Sequence, residues 1–84
     1  MSTLVIKPTA NKKNPRAAKS VRFTNSMVYI TLADGREIGA PLSRFPWLER
    51  APQAQRKKWH IEPRGFAVYW DELDDGIEIE HLLE

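Results

Sequence analysis

All three tryptophans of this 84-residue chain lie in its second half, in the run PLSRFPWLERAPQAQRKKWHIEPRGFAVYWDELDDGIEIEHLLE from Pro41 to Glu84. Apolar, basic and acidic blocks follow one another there in order. A chain this short buries only about 60 to 65% of the surface that its unfolded form exposes. The large aromatics must supply much of that burial, so Trp47, Trp59 and Trp70 are expected in one shared core. The length accommodates one domain and excludes two. With no cysteine, the chain can form no disulfide, offer no thiolate nucleophile and build no Cys-based zinc site.

Charge changes sign along the chain. Residues 1–20 carry Lys7, Lys12, Lys13, Arg16 and Lys19 and no acid. Residues 21–69 hold eight basic and four acidic side chains, and residues 70–84 hold seven acids and neither Lys nor Arg. The formal net charge of +2 conceals this gradient. The first twenty residues, with Pro8 and Pro15, show no strand or helix periodicity and read as a disordered basic arm, leaving 21–84 as a single domain. Apolar runs such as Leu4-Val5-Ile6 fall far short of a membrane span. In MSTLVIKPTANKK the apolar stretch precedes the positive charges, the reverse of a secretory signal, so the expected location is cytoplasmic.

Val21-Arg22-Phe23 and Met27 to Leu32 alternate apolar and polar residues with β-branched and aromatic content, which predicts strands. Asp34-Gly35 marks a turn into a returning strand, Arg36 to Ala40. A two-residue loop would cross the apolar face of one strand with the polar face of the other. A three-residue loop, Ala33-Asp34-Gly35, sets Ile30 opposite Ile38 and Val28 opposite Ala40 with a bulge at Gly35, and this register is expected. Beyond Pro41, Ser43 is expected to cap a short helical turn reaching Ala51. Pro52 suits the first turn of a second helix, PQAQRKKW, that ends at Trp59 and exposes Arg56, Lys57 and Lys58. Phe66 to Trp70 reads as a strand with Phe66, Val68 and Trp70 on one face. After a turn from Asp71 to Gly76, Ile77, Ile79, Leu82 and Leu83 offer an apolar edge, either a short strand entering one helical turn or a helix. The expected fold class is α+β: a small antiparallel sheet including a bulged β-hairpin, with two short helices packed on one face.

Several residues at fixed spacing carry a family likeness: Asp34-Gly35-Arg36, Pro41-Leu42, Phe45-Pro46-Trp47-Leu48, Ala51, Gln55-Arg56, Trp59, Gly65, Trp70, Leu73-Asp74 and Leu82-Leu83. Over roughly 21–84 the chain resembles the domain of unknown function 2442 family of small bacterial proteins. It departs from the family pattern at Asp71 and Gly76. The resemblance implies a small α+β domain. Some members are encoded beside small toxin-like proteins, which implies an antitoxin-like or regulatory partner role.

The residues themselves supply no constellation for catalysis. Ser20, Ser26 and Ser43 lack a nucleophile-elbow setting, and the glycines are too scattered to cradle a phosphate. His60 and His81 stand 21 residues apart with no third ligand at a recognised spacing, so they read as exposed or hydrogen-bonded imidazoles. The acidic run lacks the spacing of a calcium loop. No metal, cofactor or enzymatic activity is therefore expected. The leading expectation is a non-enzymatic interaction module that holds a small basic protein through Asp71, Glu72, Asp74, Asp75 and Glu78, with a free edge of the Met27 to Ala40 hairpin available for strand addition or homodimerisation. The alternative is nucleic-acid binding by Lys7, Lys12, Lys13, Arg16, Lys19, Arg56, Lys57 and Lys58, with the tryptophans as a stacking platform.

Overall fold

Two three-stranded antiparallel meanders share one apolar interior. The computed structural model describes residues 16–83. The first sheet runs β1 (Ala18–Phe23), β2 (Met27–Leu32) and β3 (Glu37–Pro41) in that order. A 3-10 turn, Leu42–Arg44, leads to two single-turn helices, α1 (Pro46–Glu49) and α2 (Gln53–Arg56). The second sheet follows as β4 (Trp59–Ile61), β5 (Ala67–Trp70) and β6 (Asp75–Glu78), with a 3-10 turn at Pro63–Gly65 between β4 and β5. The chain turns directly from β6 into α3 (Ile79–Leu83), the strand-then-helix alternative for this segment. Among the described residues no helix is long and apolar enough to cross a membrane.

The expected hairpin register holds. Ile30 faces Ile38, Val28 faces Ala40, and Gly35 takes a φ of +93° at the bulge. Alternation then sends Val28, Ile30 and Leu32 of β2 fully inward. Val68 and Trp70 of β5 do the same from the other sheet, and Leu42, Leu48, Ile77 and Ile79 fill the space between. The three tryptophans meet the core unequally. Trp70 is completely buried, while Trp47 and Trp59 are half-buried and pack against it. The Trp47 ring meets Trp70 edge-on at 5.5 Å.

Several local expectations fail for physical reasons. The fold class stands as α+β, but the described residues form two sheets and three short helices. Trp59 does not end a helix. The second helix stops at Arg56, and Trp59, His60 and Ile61 pair with Trp70, Tyr69 and Val68 of β5. Aromatic and β-branched side chains favour the pleated pairing that a partner strand offers here. Ser43 caps nothing. It lies within the 3-10 turn, and α1 starts from Phe45 with Pro46 at its first position and no side-chain cap. Phe66 leaves the expected strand face because Arg64 adopts a positive φ of 66° and Phe66 itself sits in the right-handed helical region, so β5 begins only at Ala67. β1 begins at Ala18, ahead of the expected start at Val21. Within the hairpin, β2 is central, and the edges of the first sheet are β1 and β3.

A candidate interaction surface on the second sheet

Strand alternation that turns Val68 and Trp70 inward turns Tyr69 outward. Its cross-strand neighbours are His60 on β4 and Gly76 on β6. A Cβ at Gly76 would come within 2.9 Å of the Tyr69 ring and 2.7 Å of the Val68 carbonyl oxygen, so glycine there lets the ring lie flat across the sheet. One residue pair along, Ala67 faces Glu78. Glu62 donates its backbone N–H to the Ala67 carbonyl oxygen at 2.9 Å, bringing the chain just past β4 to the same end. Phe66, displaced from the strand, is 50% exposed and is the one large exposed hydrophobic among the described residues. Glu62, Phe66, Tyr69, Asp75, Glu78 and His81 line an open groove of about 490 Å³.

The acidic candidates divide into two groups. Asp71, Glu72 and Asp74 are engaged at the β5–β6 turn. Asp71 lies 3.3 Å from His60 Nδ1, and Lys58 Nζ reaches Glu72 at 3.1 Å. The Tyr69 hydroxyl donates to Asp74 Oδ1 at 2.6 Å. That bond, reinforced by desolvation and by the neighbouring negative charges of Asp74, Asp71 and Asp75, pushes the phenol up to about 12. Loss of the proton would place an anion beside that carboxylate. Asp75 and Glu78 instead line the groove, although Asp75 also accepts the Gly76 N–H at 2.8 Å and Glu78 lies 3.7 Å from His81 Nδ1. His60 lies beside these residues, with Nε2 2.6 Å from Glu62 and its ring 5.8 Å from that of Tyr69.

The basic candidates among the described residues are held in different ways. Arg56, expected to be exposed, is half-buried. Its Nε donates to the Leu48 carbonyl at 3.2 Å and its Nη2 to the Glu49 carbonyl at 2.6 Å. Its own carbonyl accepts the Trp70 indole N–H at 2.8 Å. Arg56 thus ties the end of α1 to α2 and to the core tryptophan. Lys58 is turned toward Glu72, and Arg16 lies 3.5 Å from Glu80. Lys19 stands exposed on β1 and Lys57 exposed after α2. Lys7, Lys12 and Lys13 lie outside the described residues.

Sequence reasoning missed Glu62, Phe66 and Tyr69 as surface residues. Tyr69 was readable, because a residue between two inward-facing apolar ones must face out. Phe66 was not, since its exposure depends on the backbone of Arg64. Among the described residues no group of three or more His, Cys, Asp or Glu side chains could hold a metal ion.

Residues 18–84 match the family model described as protein of unknown function (DUF2442). Two solved structures are similar. One is the crystal structure of a protein of unknown function from Rhodospirillum rubrum, with a TM-score of 0.69 and 23% identity, covering 80% of this chain and 83% of that one. The other is the solution NMR structure of an uncharacterised protein from Chromobacterium violaceum, with the same score and identity, covering 80% of this chain and 63% of that one. At this identity the likeness is one of fold. No curated protein matches.

Proposed function

We propose that this chain, which belongs to the DUF2442 family, is a non-enzymatic cytoplasmic interaction module that holds a small basic protein in the groove on the outer face of β4, β5 and β6. The observation that supports this reading is the placement of exposed Phe66 in a groove bordered by Glu62, Asp75 and Glu78. An apolar anchor surrounded by like charges is how a small surface combines affinity with selection: the ring supplies desolvation, and the carboxylates favour a cationic partner and speed its approach. Tyr69 widens the apolar floor, and its hydroxyl, held by Asp74, needs no partner from outside. The form of this role suggested by the family resemblance is antitoxin-like regulation, in which the bound protein is covered and kept inactive.

The test is co-purification from the native host with a C-terminal tag, with and without nuclease, using the parent chain and the combined variant Glu62→Gln, Asp75→Asn, Glu78→Gln, Phe66→Ser. A stoichiometric small basic protein should survive nuclease with the parent and be lost with the variant, whose four positions lie outside the buried core. Retention of the same protein by the variant removes the groove from the account. Recovery of nucleic acid alone overturns the interaction-module reading.

A further inference from the structure

The two sheets share no hydrogen-bonded edge. Where β1 passes β4, a cleft of about 370 Å³ opens, lined by Arg22 and Phe23 of β1, Gln53 and Arg56 of α2, and Lys57 and Trp59 that follow. It shares no lining residue with the acid-bordered groove. Among the described residues none of its lining side chains is acidic. Its volume lies at the lower end of the range that small-molecule sites occupy, roughly 300 to 1,000 Å³.

We infer that this cleft binds a nucleoside phosphate, with the base against the Trp59 and Phe23 rings and the phosphate toward Lys57 and Arg56. The chemistry of the lining singles out this class. Two half-buried aromatic side chains line it, and stacking of a flat heterocycle on such rings is tolerant of which base is presented. Gln53 adds an amide that both donates and accepts, as a base edge requires and an acidic side chain does not. The cations differ in how they are held. Arg22 is paired to Glu37 through two 2.8 Å bonds and lies over the Tyr29 ring, so its charge is largely met. Arg56 is fixed by the carbonyls of Leu48 and Glu49, which carry no net charge, so its positive charge is placed in advance and loses little freedom when an anion arrives. Lys57, exposed beside it, supplies a second, mobile cation. The nucleotide can be free or the end of a single strand, since both present the same base and phosphate.

The experiment is a 1H–15N titration of the full chain, following the indole N–H of each tryptophan. AMP is the first probe, with adenosine and inorganic phosphate as its two halves. AMP should move the Trp59 indole and the Lys57 amide while Trp47 and Trp70 stay in place, and each half should bind about tenfold more weakly or worse. Lys57→Glu, on an exposed side chain, should weaken AMP by a similar factor with the rest of the spectrum unchanged. Gln53→Ala should weaken AMP and leave phosphate unaffected. A short oligo-dA with a 5′-phosphate that binds more tightly than AMP identifies a strand end, and AMP binding as tightly or better identifies a free nucleotide. No shift of Trp59 at millimolar AMP, phosphate alone matching AMP, or indifference to Lys57→Glu each overturns the inference.

Discussion

Replacing Arg56 by methionine separates what its charge suggests from what its geometry does. The side chain makes two hydrogen bonds to the end of α1, one part-buried at 3.2 Å to the Leu48 carbonyl and one exposed at 2.6 Å to the Glu49 carbonyl. A hydrogen bond to a charged group contributes about 1.5 to 3 kcal/mol when well sheltered, and less where water competes or the distance is long. With one bond long and the other exposed, the pair should contribute about 1 to 3 kcal/mol. Methionine preserves the apolar stem, so the loss is not confused with a cavity. Against a total of roughly 4 to 13 kcal/mol for a chain this size, the effect is large. It corresponds to a fall in Tm of roughly 5 to 20 °C, readable by circular dichroism alongside urea unfolding. Arg56→Lys keeps the charge but not the planar fork, so it should recover at most about half of the loss. If Arg56→Met unfolds within about 0.3 kcal/mol of the parent the bracing role is wrong, and if lysine restores full stability the arginine acts through charge and not through its planar fork.

Two further outcomes follow from the same geometry. Gly76→Ala should cost about 1 to 3 kcal/mol, because its Cβ would meet the Val68 backbone oxygen at 2.7 Å, and more than Gly39→Ala, whose nearest atoms at 2.6 and 2.8 Å belong to the Tyr29 side chain and not to backbone; urea midpoints give the order, and the reverse order refutes it. Tyr69 should ionise near 12 in the folded chain, against an ordinary 10, so its contribution to stability is complete below about pH 10 and is lost as pH rises through about 12; Asp74→Asn should bring the late phenol titration, followed by ultraviolet absorbance, back toward 10.

The hairpin was legible because its information is local. Alternation from Met27 to Leu32 and the Asp34-Gly35 turn decide between two registers, and only one keeps Ile30, Ile38, Val28 and Ala40 on a single face. β4 was not legible, because three residues after a run of good helix formers carry no period of their own. Trp59, His60 and Ile61 become a strand through pairing with Trp70, Tyr69 and Val68, across the 3-10 turn at Pro63–Gly65. The acidic turn was read as Asp71 to Gly76 and closes two residues sooner, with Asp75 and Gly76 already in β6. What separates Asp75 and Glu78 from Asp71, Glu72 and Asp74 is the position of Tyr69, His60 and Lys58 around them. The triplet Arg56-Lys57-Lys58 reads as one basic patch, yet Arg56 is held by helix carbonyls at the cleft that Lys57 also lines, while Lys58 reaches Glu72.

A comparison of the two meanders shows how the outer faces of the two sheets differ. Each centres an outward tyrosine between a basic residue on its first strand and a glycine on its third: Arg22, Tyr29 and Gly39 in one, His60, Tyr69 and Gly76 in the other. In the first, Arg22 lies over the Tyr29 ring at 4.1 Å and closes on Glu37 through two bonds, which hold the Glu37 carboxyl below its ordinary range. Ring, cation and anion satisfy one another, so a partner would have to break these contacts before it gained any. In the second, the cation is replaced by an imidazole tilted beside the ring, and the tyrosine hydroxyl is drawn to Asp74 at the end of the strand. The apolar body of Tyr69 and the exposed Phe66 are left next to Asp75 and Glu78 with no arginine laid across them. One arrangement of strands thus yields a face whose tyrosine is covered by an arginine–glutamate pair and a face that leaves Phe66 and the Tyr69 ring without such a cover, and under the proposed reading the second face is where a basic partner displaces least.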